Sequence, residues 1–573
     1  MINSLCAHDV RRPAPSRGSR RAYVQLSVLV GMCLALFYSG ARADAVNTES
    51  GLVDGTTEAA VRVFKGIPFA APPVGDLRWR APQPALVWSG VRKADRFSPV
   101  CPQHGAYPPE SPPELMSEDC LYLNIWTPAK ASAGRLPVMV WIYGGALENG
   151  SASTPLYSGD ELAKRNVILV TINYRLGALG FLALRALSQE SKRGISGNYG
   201  LLDQIAALRW VHNNIGVFGG DPQKVTVFGQ SSGSISVSAL VTSPLAKGLF
   251  QRAIGQSGGL FEPIDMAPGF KLAGAEKEGE EFVRTSGAKS LRDLRRMSAE
   301  EVLKTAFSAH FIVDGYALNK APFDAYQDGE QNDVDVLVGT NLDEGQLFFA
   351  TKTVTVSNFN ELLAGDFSRP IVWLMGPMPG VSDSEARASA TTFEGDMRFR
   401  WDMWTWARLA ADAGKTKVFF YQFSRTPPFP FGARYVGLGA THGMEMPYVF
   451  DHLDQQPVPW TAQDRKLASV MSAYWTNFAA AGDPNGPGLP KWPEFGSSAK
   501  QVMILGDEIK PERIPHEDHL QRIDRVYASV RFSIKHRYLL LVALALTAVT
   551  IVVAAIAAFR KWRVVKTGNA AAS

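Results

Sequence analysis

The segment that most restricts the fold runs from residue 224 to 240. A β-branched run, Lys224–Phe228, enters Gly229-Gln230-Ser231-Ser232-Gly233, and an apolar helical pattern follows at Ile235, Val237 and Leu240. A strand that turns into a helix within five residues needs glycine on both sides of the turn, and the residue at its apex is held out of either element. That residue is Ser231. The same alternation recurs along the chain. Val138–Tyr143 and Val167–Tyr174 read as strands, Leu201–Asn213 as a helix, and Val334–Val338 as another strand. Strands alternating with helices predict an α/β protein with a mostly parallel central sheet and helices on both faces. No internal repeat or low-complexity block interrupts residues 44–530, which read as one large domain with insertions.

The chain has 573 residues and a net charge of +5, and that charge sits at its ends. Residues 1–43 carry six Arg and one Asp, and residues 531–573 carry seven Lys or Arg and no acid. The remaining body holds 46 basic and 53 acidic residues, a net of −7. A body of that sign gives no support to nucleic-acid binding.

Each end has its own reading. At the start, Arg11, Arg12, Arg17, Arg20 and Arg21 precede an apolar run from Val24 to Phe37, and Ala41-Arg42-Ala43 follows. This is the layout of an export signal over residues 1–43, cleaved before Asp44 or retained as an anchor. Ser19-Arg20-Arg21-Ala22-Tyr23 resembles a bacterial twin-arginine signal, with the general secretory route as the alternative. At the other end, Tyr538–Phe559 holds 22 residues without a charge, enough for about 33 Å of helix. Arg560, Lys561, Arg563 and Lys566 follow it, and Trp562 suits a membrane interface. The expectation is a single-pass transmembrane helix over 538–559 with a short cytoplasmic tail, 560–573. The body would then face the periplasm or the cell exterior from a bacterial inner membrane, with lipid as a partner of the helix. Cys101 and Cys120 are the only cysteines of the body, and in an exported protein they most simply pair. No pattern calls for a metal or a cofactor.

A serine at such an apex becomes a nucleophile when a histidine takes its proton and an acid orients that histidine. In this chain order the acid lies between them. His442 sits in the glycine-flanked loop Gly439-Ala440-Thr441-His442-Gly443, whereas His516 and His519 lie in a charged, solvent-facing stretch. His212 reads as a helix-surface residue. For the acid, Glu344 and Asp343 both follow the run Val334–Val338, and spacing does not choose between them.

Longer motifs add to this. Phe64-Lys65-Gly66-Ile67-Pro68-Phe69-Ala70, Glu118-Asp119-Cys120-Leu121-Tyr122-Leu123-Asn124 and Asn173-Tyr174-Arg175-Leu176-Gly177 resemble segments of the type-B carboxylesterases. So do Gly197-Asn198-Tyr199-Gly200-Leu201-Leu202-Asp203-Gln204 and Gly482-Asp483-Pro484-Asn485-Gly486. That family also includes the cholinesterases and the non-catalytic neuroligins, and the resemblance spans about residues 46–500. It implies an α/β-hydrolase fold and a serine esterase of small to medium carboxylic esters working through an acyl-enzyme. It implies Ser231 as nucleophile, Glu344 as acid, His442 as base, and a Cys101–Cys120 disulfide. In Trp141-Ile142-Tyr143-Gly144-Gly145-Ala146 it implies oxyanion-hole donors at Gly145 and Ala146, with Ser232 as the third. Two alternatives accompany it: an adhesion module on the same fold, and a lipase acting on longer acyl chains.

Three positions depart from the family pattern. Ala146 replaces a frequent third glycine while keeping its N–H. Gln230 replaces a frequent acid beside the nucleophile, removing a negative charge near the base. The loop between Cys101 and Cys120 contains no Trp, so choline esters are not expected substrates. Trp401, Trp404 and Trp406 read as a packed helix face, with pocket lining as the alternative.

Overall fold

The computed structural model describes residues 45–105, 115–130, 134–496 and 500–570. The expected export signal and the last three residues lie outside them. The first two strands, β1 (Val46–Thr48) and β2 (Gly51–Asp54), form a small sheet with β5 (Val91–Lys93). The large sheet has eleven strands. They are β3 (Thr56–Glu58), β4 (Val61–Pro68), β6 (Tyr122–Pro128), β7 (Leu136–Ile142), β8 (Ile168–Ile172), β9 (Gly220–Gln230), β10 (Arg252–Gln256), β11 (Asp335–Asn341), β12 (Val418–Phe423), β13 (Gln501–Leu505) and β14 (Ile509–Arg513). Their spatial order is β14-β13-β12-β11-β10-β9-β7-β8-β6-β4-β3. The seven strands from β13 to β8 run parallel, and the pairs outside them are antiparallel. The expected mostly parallel sheet is present.

Some of its parallel strands are buried along their whole length, as in Ile168–Ile172 and Val418–Phe423. A parallel strand covered on both faces has no solvent side, so its sequence reads as a continuous apolar run. Four helices show how the covering works: α1 (Tyr199–Asn214), α2 (Ser232–Thr242), α6 (Trp401–Ala413) and α7 (Ala462–Ala481). Between β11 and α6 lie α3 (Phe359–Phe367), α4 (Arg369–Met375) and α5 (Asp383–Gly395). Successive residues of β10 locate the two layers. Gly255 leaves room for the ring of Trp406 from α6, and the Trp475 indole of α7 donates to Gln256 Oε1 at 3.1 Å. Neighbours on a strand point to opposite faces, so α6 and α7 cover opposite sides of the sheet.

The tryptophans of α6 belong to the core. Trp401, Trp404 and Trp406 are all buried, and the Trp406 indole donates to the Tyr326 hydroxyl at 2.9 Å. A disulfide joins Cys101 to Cys120.

Two helices follow the sheet. Helix α8 (Glu517–Lys535) lays Leu520, Ile523 and Tyr527 into the body at helical spacing. Each such burial contributes on the order of 1.5–3 kcal/mol. Tyr527 meets Trp401 edge-on at 4.7 Å, Arg408 donates to Asp524 at 2.8 Å, and Arg531 lies 3.5 Å over the Phe323 ring. Helix α9 (Arg537–Ala570) is continuous, and its portion Arg537–Arg560 is long and apolar enough to cross a membrane. It extends past the expected span of 538–559 because residues 560–567 contain no glycine or proline to break it.

Candidate active site

Strand β9 ends at Gln230 and α2 begins at Ser232, so Ser231 is the whole turn between them. Its backbone has φ 57° and ψ −128°, a conformation an L-residue adopts only when its surroundings impose it. The imposition is steric. A Cβ on Gly229 would meet the backbone of Gly233 at 2.5 Å, and one on Gly233 would meet the Ile142 carbonyl at 2.1 Å. Both glycines of the motif are therefore required by close backbone approach rather than by flexibility. The Ser231 N–H donates to the Gln256 carbonyl at 2.8 Å, which ties the apex to the end of β10.

The loop after β7 faces this apex. Gly144, Gly145 and Ala146 pass beside it, and a Cβ on Gly144 would lie 2.9 Å from that of Ser231. Gly145 has φ 114°, Ala146 φ 58° and Leu147 φ 63°. The turn is fastened by Leu147 N–H donating to Ser232 Oγ at 3.1 Å. Among the described residues, the backbone N–H groups of Gly145, Ala146 and Ser232 donate to no other group. Three unspent donors beside a strained serine, one of them on the first residue of a helix, can receive a negative oxygen.

Glu344 follows β11 and is fully buried. Its Oε2 is 2.6 Å from His442 Nδ1. Its Oε1 accepts the Ser257 hydroxyl at 2.5 Å and the Asn341 N–H at 2.7 Å. Asp343, the alternative by spacing, turns away and accepts the Ala440 N–H at 2.8 Å. The adjacent acid thus shapes the loop that carries His442, and Glu344 is the one that meets the imidazole. His442 is itself buried beside two aromatic rings. Phe399 stacks on it at 4.3 Å, and Phe348 lies 6.1 Å away. On the opposite edge, His442 Nε2 is 3.2 Å from the Gln230 amide nitrogen. With Nδ1–H donating to Glu344, Nε2 is an acceptor and the Gln230 amide donates to it.

A second buried carboxylate supports this assembly. Glu445 accepts from Gln256 Nε2 at 3.0 Å and from Asn341 Nδ2 at 2.6 Å. Burial, reinforced by the nearby charge of Glu344, pushes its carboxyl above the ordinary carboxylate range. Asn341 also donates to the Thr441 carbonyl at 2.8 Å, so one amide spans both loops of the site.

Of the residues singled out from the sequence, Ser231, Glu344, His442, Gly145, Ala146 and Ser232 are brought to one place. His516 and His519 are not, and His519 lies 3.4 Å from Asp396 instead. His212 stays on α1. Sequence reasoning missed Ser257, Asn341, Glu445, Phe348 and Phe399. Glu445 carried a signal, an acid one turn past His442 in an otherwise apolar stretch. Phe399 carried none, because it is aimed by a π-helical turn over Asp396–Arg400.

Comparison with known proteins agrees with this geometry. Residues 42–523 match the model of the carboxylesterase family. The chain is 41% identical over 490 residues to a fumonisin B1 esterase of Sphingopyxis macrogoltabida, covering 81% of this chain and 86% of that one. It is 36% identical to a para-nitrobenzyl esterase of Bacillus subtilis, covering 83% of this chain and 98% of that one. A solved PNB esterase structure superposes with a TM-score of 0.73 at 33% identity, covering 83% of this chain and 99% of the other. The strained serine, the buried Glu344–His442 pair and these matches lead to one assignment: the chain belongs to the carboxylesterase family, with its α/β-hydrolase fold, and is a carboxylic ester hydrolase.

Proposed function

We propose that this chain is a membrane-tethered serine esterase in which Ser231, His442 and Glu344 carry the reaction. The observation that carries the reading is the 2.6 Å contact between Glu344 Oε2 and His442 Nδ1, on a histidine whose Nε2 meets the side chain of Gln230, the residue before Ser231. Ser231 Oγ attacks the ester carbonyl while its proton passes to His442 Nε2, and the Gln230 amide gives up that nitrogen as it does so. Glu344 stabilises the imidazolium and keeps the proton-accepting edge toward the serine. Charge on the tetrahedral oxygen is received by the N–H groups of Gly145, Ala146 and Ser232. His442 then protonates the departing alcohol, leaving an acyl group on Ser231. Water enters, His442 takes its proton, and collapse of the second tetrahedral intermediate returns Ser231 and releases the acid.

Small to medium carboxylic esters are the proposed substrates. Residues 1–43 serve export, residues 44–530 form the catalytic domain, and 538–559 cross a membrane before a short tail, 560–573. The domain would face the periplasm or the cell exterior. Support for the anchor is the apolar stretch Arg537–Arg560, none of which is buried against the body. The test is hydrolysis of short-chain p-nitrophenyl esters by the full chain and its Ser231→Ala, His442→Ala and Glu344→Gln variants. Loss of kcat by about 10⁴-fold or more in the first two supports the assignment. Near-native kcat in a folded Ser231→Ala variant overturns it.

A further inference from the structure

Helix α4 and the loop after it carry an apolar surface that the reaction does not use. Val372 and Met375 are buried, but Trp373 is 82% exposed, Met378 76% and Val381 92%, with Leu374 also exposed. A single exposed apolar residue is ordinary, whereas four within nine residues, one of them a tryptophan, mark an interaction surface.

Its position says what it meets. Leu374 lines a cleft of about 420 Å³ whose other wall is α8, through Val526, Val530 and Ile534. Ile534 is three residues before Arg537, where the apolar helix α9 starts. About one helical turn therefore separates the Ile534 end of this cleft from the start of α9. Exposed Arg369, Arg525, Lys535 and Arg537 belong to the same elements, and Phe532 is exposed beside them. Glu361 shares a second cleft with Arg369 and Trp373. At the far end of the patch Glu385 accepts the Val381 N–H at 2.6 Å, whereas tryptophan and leucine on the α4 side stand beside arginine and lysine, which suits the boundary between acyl chains and anionic headgroups.

The patch is also joined to the site. Phe367 ends α3 directly before α4, and Arg398 lies 5.0 Å over its ring and 5.1 Å over that of Phe348. Phe348 in turn is beside His442. We infer that the segment Trp373–Val381 is a docking surface for an anionic phospholipid bilayer, holding the α3–α4 side of the site against the membrane so that bilayer-dissolved esters reach it. The inference rests on the reading of α9 as an anchor.

The test uses the full chain with Cys6 and Cys33 replaced by Ser, in phosphatidylcholine–phosphatidylglycerol liposomes. An environment-sensitive fluorophore is placed by Trp373→Cys, Met378→Cys, Leu86→Cys or, within α9, Leu546→Cys. The expected result is a blue shift at 373 and 378, with about half the emission lost to lipids brominated near the headgroup, and neither effect at 86. Quenching at 546 by lipids brominated deep in the acyl chains, without headgroup quenching at 373 or 378, overturns this inference and leaves the anchor standing. Quenching at none of them removes the anchor, and this inference with it. A blue shift at 373 without quenching means that protein, such as a second copy, covers the patch, and overturns it too. Trp373→Glu with Met378→Glu should slow hydrolysis of a bilayer-dissolved ester by about fivefold or more while p-nitrophenyl acetate hydrolysis is unchanged. Equal rates for the variant and the parent on both substrates overturn the delivery role.

Discussion

The amide nitrogen of Gln230 lies 3.2 Å from His442 Nε2, the nitrogen that takes the proton of Ser231 in the proposed reaction. A neutral amide there donates to the neutral imidazole and supplies no negative charge to the imidazolium. Gln230→Glu places a carboxylate against the same nitrogen and favours its protonated form. The acid limb of the kcat/KM profile should move up by about one pH unit, measured with a p-nitrophenyl ester. A limb that does not move would mean that Gln230 does not face the base in solution.

Ser257 Oγ donates to Glu344 Oε1 at 2.5 Å, beside the Asn341 N–H. Ser257→Ala leaves one of these two donors in place. The prediction is a fall in kcat of about tenfold with KM nearly unchanged and the thermal transition within a few degrees of the parent. An unchanged kcat would show that Asn341 alone suffices to hold the carboxylate.

Ala146 stands at φ 58°, a region that costs an alanine about 1 kcal/mol and a glycine little. Ala146→Gly keeps the N–H. It should raise stability by about 0.5–1 kcal/mol in denaturant unfolding while kcat stays within about threefold. A loss of stability would show that the methyl group makes a packing contribution exceeding the backbone strain.

His452 gives the fold a pH dependence away from the site. Its Nε2 is 3.0 Å from Asp160 Oδ1, and its Nδ1 reaches the Leu156 carbonyl at 3.0 Å. Burial alone would depress the imidazole, but the hydrogen bond and charge of Asp160 outweigh it and raise it above the ordinary 6.5. A histidine raised in the folded state contributes stability that is fully present below pH 6.5 and is lost as pH rises through its folded value. The thermal midpoint should therefore fall as pH rises above 6.5, and His452→Asn should flatten that slope. Equal slopes for both proteins would contradict the pairing.

The serine turn and the parallel sheet were readable because each rests on local constraints. Gly229 and Gly233 are needed by backbone contacts, and buried strands such as Val418–Phe423 are mostly apolar, with Gln422 the polar member of that strand. Several longer motifs prove structural rather than chemical. Arg175 and Asp203, from two of them, form a buried pair at 2.7–2.8 Å, and Asn124 accepts the Gly66 N–H at 2.9 Å. The choice between Asp343 and Glu344 was not readable from spacing, since it depends on which side of the turn meets a loop about a hundred residues later. Ser257 and Asn341 were hidden for the same reason: each sits at a strand end whose neighbours come from distant sequence. Phe399 depends on a local helix widening that no pattern announces.

The central claim is that Ser231 is the nucleophile, and covalent trapping addresses it without relying on rates. The full chain is treated with a fluorophosphonate, digested and mapped by mass spectrometry. The account predicts one adduct per active molecule, on Ser231, appearing in parallel with loss of esterase activity and absent from Ser231→Ala. Inactivation with the adduct on any other residue, or esterase activity that survives full modification of Ser231, would contradict it.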